Sequence, residues 1–181
     1  MPRKQEPQLR ARILQAALQL FVKGGEKNLS MRTLAKLAHT NTPAVYRRFR
    51  NRDAVLRALA EHFRRNYYTA LEPCRSHEEM CQVMLERAVS RPREYELFFS
   101  ELVSKVPGPR PNFEFVKERA AEWLGGSPED HVEMTLALFA LIHGTAMLLI
   151  SGAVAPENRA RLRATFTATV RILLRNAASL R

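Results

Sequence analysis

Hydrophobic positions recur at three- and four-residue intervals along almost the whole chain, the spacing of one helical face. Leu9, Ile13, Ala16, Ala17, Leu20 and Phe21 form the first such face, and Gly24-Gly25 stops it. Ser30 is placed to cap a second helix carrying Leu34 and Leu37. After His39-Thr40-Asn41, Thr42-Pro43 reads as a polar cap followed by proline at a first helical position. A long helix is expected from Asn51, with Asp53 in its first turn, Val55, Leu56, Leu59, Ala60 and Phe63 on its apolar face, and Pro73 marking its end. Further helical periods cover residues 76–90, 93–105, 112–124, 129–151 and 157–178, with the Pro-rich run at 107–111 as a loop. No alternating β-branched run of strand length appears, and no internal repeat. The fold class is all-α, with about nine helices.

Three helices within the first 65 residues, the second and third short and joined by a four-residue turn, describe a helix-turn-helix. An eight-residue helix is unstable alone, so it must lie on a shelf built by its neighbours. Leu34, Leu37, Val45 and Phe49 are expected on that shelf. Thr42, Pro43, Ala44, Tyr46, Arg47 and Arg48 are then left facing outward. Small residues and cations on a helix of this kind suit the DNA major groove, with arginines reaching base edges or phosphates and Thr42 and Tyr46 donating to the backbone.

Charge sharpens this reading. The 181 residues carry 29 Lys+Arg and 18 Asp+Glu, a net charge of +11. Residues 1–70 hold fifteen basic and four acidic side chains (15 − 4 = +11), and residues 71–181 hold fourteen of each (14 − 14 = 0). All of the excess sits at one end, which points to a polyanion as partner. Duplex DNA and an anionic membrane surface are the two candidates, the second corresponding to a basic peripheral or scaffold protein. Residues Met1 to Pro7, with Arg3 and Lys4, are expected to act as an arm along the DNA backbone or minor groove.

Catalytic chemistry finds little support. Cys74 and Cys81 have neither zinc-pair nor redox-pair spacing, and two cysteines make no disulfide framework. His77-Glu78-Glu79-Met80-Cys81 approaches a metalloprotease helix but ends in Cys where the second His belongs. No phosphate-binding glycine loop or nucleophile elbow is present. No enzyme activity, catalytic residue, metal or cofactor is expected. The longest apolar run, Leu136 to Ile150, is interrupted by His143-Gly144-Thr145 and falls short of the roughly 18 residues of a membrane span. No signal peptide is apparent, and a cytoplasmic location is expected.

Residues 9–63 resemble the DNA-binding domain of the TetR family of transcriptional regulators. The resemblance rests on Ile13-Leu14-Gln15-Ala16-Ala17, Leu20-Phe21, Gly25 and the run Met31 to Ala38. It continues through Tyr46-x-x-Phe49-x-x-Arg52-Asp53-x-x-Leu56 without a gap. His39 stands where the family usually has glycine, Thr40-Asn41 where it has Val-Ser, and Arg52 where it has lysine. The resemblance implies a domain at 1–50 that binds a double-stranded, near-palindromic operator, and an effector-binding and dimerisation domain at 51–181. Arg32, Thr33 and Arg52 join the residues above as implied DNA contacts, Arg52 by way of a phosphate. The family's members are most often repressors, homodimers whose last two helices pair as a four-helix bundle, released or engaged by a small effector.

The C-terminal half is similar to the Trp-His-Gly type of TetR regulatory domain. The similarity is carried by Pro92 to Phe99, Ile142-His143-Gly144 and Leu148 to Gly152, with Ile142 in place of the tryptophan. Met84, Tyr95, Phe98, Phe99, Phe113, Trp123, His143 and Met147 are the candidate lining of an apolar effector site. The plainer reading of the aromatic and methionine positions is ordinary core, and of His143 a packed histidine bonded to a carbonyl. Independently of any resemblance, residues 129–151 and 157–178 are too apolar to be covered within so small a chain, which predicts a second copy against them.

Overall fold

The computed structural model describes residues 6–98 and 111–180. Among these, nine α-helices and no strand are found: α1 Glu6–Gly24, α2 Met31–Leu37, α3 Thr42–Tyr46, α4 Arg52–Leu71, α5 His77–Ser90, α6 Pro92–Phe98, α7 Pro111–Leu124, α8 Val132–Ile150 and α9 Arg159–Arg175. Short 3₁₀ turns lie at Gly25–Asn28, Pro128–His131, Pro156–Asn158 and Ala177–Leu180. The all-α expectation holds. The chain forms two compact units. The first contains α1 to α3, α4 as far as Arg65, and α6 from Arg93; the second contains the rest of α4, α5 and α7 to α9.

Helix starts are set by local chemistry. The Ser30 side chain accepts from the Thr33 amide at 3.0 Å while the Thr33 hydroxyl accepts from the Ser30 amide at 3.0 Å, a reciprocal cap on α2. Asn41, rather than Thr42, caps α3, its Oδ1 accepting from the Ala44 amide at 2.9 Å, so Pro43 is the second helical residue. Asn51 does the same for α4 through the Ala54 amide, 2.9 Å away.

The first unit closes over one apolar cluster. Ile13, Ala16, Ala17 and Phe21 come from α1, and Met31, Leu34 and Ala35 from α2, followed by Ala38. Val45 and Phe49, Val55 to Phe63 on α4, and Leu97 of α6 complete it. Phe21 and Phe63 meet at 5.8 Å between ring centroids. Leu37 departs from expectation: it is 39 % exposed. Residues 31, 34, 35 and 38 occupy the inward face of α2, and position 37 falls on the side away from it.

In the second unit α5 buries His77, Met80, Cys81, Met84, Leu85 and Ala88, again at helical spacing. Its polar flank is laddered to antiparallel α9: Arg171 grips Glu78 bidentately at 2.7–3.0 Å, Gln82 donates to Thr167 Oγ1 at 2.6 Å, and Arg163 pairs with Glu86. The core face of α8 is Met134, Thr135, Leu138, Ile142, Thr145, Ala146 and Leu149. The opposite face stays uncovered, with Leu136 at 55 %, Leu148 at 43 % and Met147 at 39 % exposure, and Ala140 and Gly144 exposed among them. On α9 only Phe166 and Val170 are buried, and Ile172 is 59 % exposed.

With its leading 3₁₀ turn, α8 spans the 23 residues Pro128–Ile150, so the expectation of an apolar run too short to cross a membrane is corrected on length and composition. Burial argues for packing: His131, Thr135 and Thr145 are all inside the unit.

Candidate nucleic-acid interface and effector region

The reading segment takes its shape from 3.6-residue periodicity. Val45 (0 % exposed) and Phe49 (3 %) anchor it to the core, and the guanidinium of Arg10 lies 5.3 Å from the Phe49 ring centroid. The helical path continues past α3 through Arg47 N–H to Pro43 C=O at 3.0 Å and Phe49 N–H to Val45 C=O at 2.9 Å. Pro43, Tyr46, Arg47 and Arg50 are exposed and Thr42 is half-buried, so the outer face is 42/46 and 43/47, each pair one turn apart. Ala44 is 4 % exposed, which corrects the expectation that it faces outward; Arg48, one turn on, is half-buried. Residues 42 to 48 cover nearly two helical turns and cannot all face one way.

Arg32 and Thr33 are exposed at the start of α2. The Thr33 hydroxyl is already engaged in the cap and donates to the Ser30 carbonyl at 2.9 Å. Lys36, exposed and one turn after Arg32, extends the same cationic face; its i, i+4 spacing from Arg32 is the signal that finds it. His39 ends the turn with φ of 50°, the one non-glycine in the left-handed region among the described residues. The family's glycine there thus has a backbone reason. Arg52, expected at a phosphate, is turned onto protein: Nε donates to Leu29 C=O at 3.1 Å, and Nη2 donates to Glu26 C=O at 2.7 Å and to Glu26 Oε2 at 3.2 Å. Arg3 and Lys4 lie outside the described residues.

Of the candidate effector residues, Phe99 lies outside the described residues, as does the side chain of Phe98. Tyr95 is 6 % exposed and belongs to the first unit, where burial raises its phenol pKa. Met84 is buried in the second unit, and Phe113, Trp123 and His143 are half-buried there. Met147 lies on the uncovered face of α8, not toward the interior of its unit.

Sequence reasoning met His77 and Cys81 only as an incomplete metal motif and gave no sign that they are buried; Thr135 and His131 it did not single out. His77 meets the Trp123 ring edge-on at 4.8 Å. Burial, seconded by nearby His131 and opposed by a bond to the Val116 backbone, lowers its pKa to about 4. His77 Nε2 and Thr135 Oγ1 are buried without a protein partner. His131 Nε2 is 2.8 Å from the Gly125 carbonyl. Burial pushes the Cys81 thiol up to about 12, so it is protonated at neutral pH and unsuited to nucleophilic attack. Among the described residues no three His, Cys, Asp or Glu side chains are grouped to hold a metal.

Residues 13–59 match the family model described as bacterial regulatory proteins, tetR family. No curated protein sequence matches the chain significantly. Among solved structures, a transcriptional regulator described as a TetR from Streptomyces coelicolor has a TM-score of 0.72 at 20 % identity, covering 94 % of this chain and 98 % of that one. A TetR variant from Acinetobacter baumannii, solved in complex with minocycline, has a TM-score of 0.65 at 24 % identity, covering 93 % and 96 %. NalD, the secondary repressor of the MexAB-OprM multidrug efflux pump in Pseudomonas aeruginosa, has a TM-score of 0.54 at 20 % identity, covering 88 % and 95 %. These likenesses establish the fold over nearly the whole chain. Residues 13–59 thus carry the match to the TetR-family DNA-binding model, and the chain as a whole has the fold seen in TetR-family regulators.

Proposed function

We propose that the protein is a cytoplasmic, homodimeric repressor that binds a near-palindromic DNA operator and is released or engaged by a small apolar effector, with no catalytic role. The observation that carries this reading is the outer face of the helix-turn-helix. Pro43, Tyr46 and Arg47 stand clear of a packed core, with half-buried Thr42 beside them, in the segment that matches the family model. An arginine there is suited to the O6 and N7 of guanine, and Tyr46 and Thr42 to phosphate oxygens. Residues 1–50 supply the DNA contacts, with Arg3 and Lys4 on the arm and Arg32 at the head of α2. Residues 51–181 supply the effector site and the dimer. The exposed apolar residues Leu136, Met147 and Leu148 of α8 and Ile172 of α9 favour a second copy of the chain, because a neutral half gains most by covering them. Two reading helices then stand about 34 Å apart, or near a multiple of it, to enter major grooves on one side of the duplex.

Met84, Phe113, Trp123 and His143 are the lining we assign to the effector, and the unsatisfied His77 Nε2 and Thr135 Oγ1 offer it polar anchors. An effector acts only through a difference in affinity between two dimer shapes. Selection of bound fragments from a random duplex pool tests the reading: recovery of an inverted repeat with that half-site spacing is expected. Failure to enrich any sequence, with retention instead on anionic vesicles, would overturn it.

A further inference from the structure

We infer that Arg52 is a positioning residue for the DNA-reading helices and acts through the backbone of residues 26–29 rather than through a DNA phosphate. The inference rests on the reading above that the chain binds duplex DNA. Arg52 opens α4, three residues after Phe49, the last core anchor of the reading segment. Its guanidinium crosses to the 3₁₀ turn ahead of α2 and meets three acceptors there: Leu29 C=O at 3.1 Å, Glu26 C=O at 2.7 Å and Glu26 Oε2 at 3.2 Å. The Glu26 carbonyl also accepts from the Leu29 amide at 3.1 Å, so Arg52 completes a turn that is already closed. Leu29 is 3 % exposed and immediately precedes Ser30, the cap of α2. One side chain thereby ties the exit of the reading segment to the entry of α2, and both ends of the α2–α3 pair are fixed against each other.

The chemistry of the residue explains why arginine suits this position. A planar guanidinium holds Nε and Nη2 in fixed relation and spans two carbonyls and a carboxylate at once. Lysine carries the same charge at a single point and cannot bridge the Glu26 and Leu29 carbonyls in this way. The Arg52 side chain is 39 % exposed, yet these donors aim inward. Turning it out to a phosphate breaks all three contacts and strips two carbonyls of a charged donor.

Arg52→Lys and Arg52→Gln, compared with the wild-type full-length protein, test this. Amide hydrogen exchange over residues 26–34 is measured without DNA, and affinity for the selected duplex over a range of salt. Both variants are expected to exchange about five- to tenfold faster in that segment, the effect of losing one to two hydrogen bonds. Arg52→Lys is expected to lose affinity at least fivefold with an unchanged salt slope. Wild-type affinity in Arg52→Lys, with unchanged exchange and a slope reduced by about 0.9 in Arg52→Gln, would make the residue an ordinary phosphate contact and overturn the inference. Should the wild type select no duplex, the DNA reading itself falls, while the exchange comparison still decides whether Arg52 holds the turn.

Discussion

Replacing Ile172 by lysine tests the proposed dimer most directly. Fully burying a leucine or isoleucine side chain is worth about 1.5–3 kcal/mol. Ile172, Leu136, Leu148 and Met147 are 59, 55, 43 and 39 % exposed in the single chain. Scaled by those exposures, covering all four yields about 3–6 kcal/mol per protomer, and about 6–12 kcal/mol in a two-fold interface that uses each patch twice. Association itself costs about 4–15 kcal/mol, so these residues offset most of the cost. Small residues leave room for the rest: Gly144, where an added Cβ would meet nothing within 4 Å, and Ala140 one turn before it are exposed on the same face of α8, so no bulky side chain at either position holds a partner helix off. Ile172→Lys removes about 2–4 kcal/mol of burial over the two copies, a 30- to 1,000-fold weaker dimer before any cost of confining two ammonium groups is added. The protomer is expected to keep its stability within about 0.5 kcal/mol, because the substitution is at a solvent-exposed site. Sedimentation across a concentration series measures the first effect and urea unfolding the second. A dimer dissociation constant within threefold of wild type would refute the assignment of this face.

Arg47→Ala is expected to cost about 1–3 kcal/mol on the selected duplex and relax specificity at one base pair, while nonspecific binding changes little; equal loss on every sequence in competition assays would reassign Arg47 to a phosphate. His39→Gly is expected to stabilise the protein by about 0.5 kcal/mol, since relief of a left-handed residue slightly exceeds the added freedom of the unfolded chain; a loss of stability in denaturant titration would count against strain at the turn. His77, held to a pKa of about 4 against an ordinary 6.5, binds fewer protons folded than unfolded between those values, so its contribution to stability falls as pH falls through that window. Relative to His77→Phe, the wild type is expected to lose about 1–2 kcal/mol between pH 7 and pH 5 in urea unfolding, and parallel profiles would show that His77 is not held neutral by burial.

What could be read from the sequence divides by range. Faces and caps are set within a turn or two, so Ser30 capping α2, the inward Val45 and Phe49, and the helices found among the described residues followed from local pattern; the part of the 93–105 period beyond Phe98 lies outside those residues. Leu37, 39 % exposed, and Ala44, 4 % exposed, lie opposite to the expected sides for a reason that is also local, the angular advance of the helix. Of the expected outward set Thr42, Pro43, Ala44, Tyr46, Arg47 and Arg48, the 100° advance per residue sends Ala44 and Arg48 toward the packed side with Val45. The partner of Arg52 was of another kind. Glu26 and Leu29 lie 26 and 23 residues away, and no local pattern distinguishes an arginine that folds back onto carbonyls from one that reaches for phosphate. The polar groups at His77 and Thr135 were equally hidden, because only the packing of α5, α7 and α8 makes them buried.

That division bears on where sequence preference can be altered. The outer face reduces to Thr42, Pro43, Tyr46 and Arg47, with Arg50 following, while Ala44, Val45 and Phe49 are committed to the core and Arg52 to the turn. Substitutions at the first set change what the helix can touch without disturbing what it rests on. Substitutions at Ala44 act the other way, since a side chain larger than methyl at a 4 % exposed position must lift α3 off the core, by a displacement that changes every outward contact together. Discrimination between operators is therefore expected to vary at 42, 43, 46 and 47 in designed variants, and loss of all DNA binding to follow from bulk at 44.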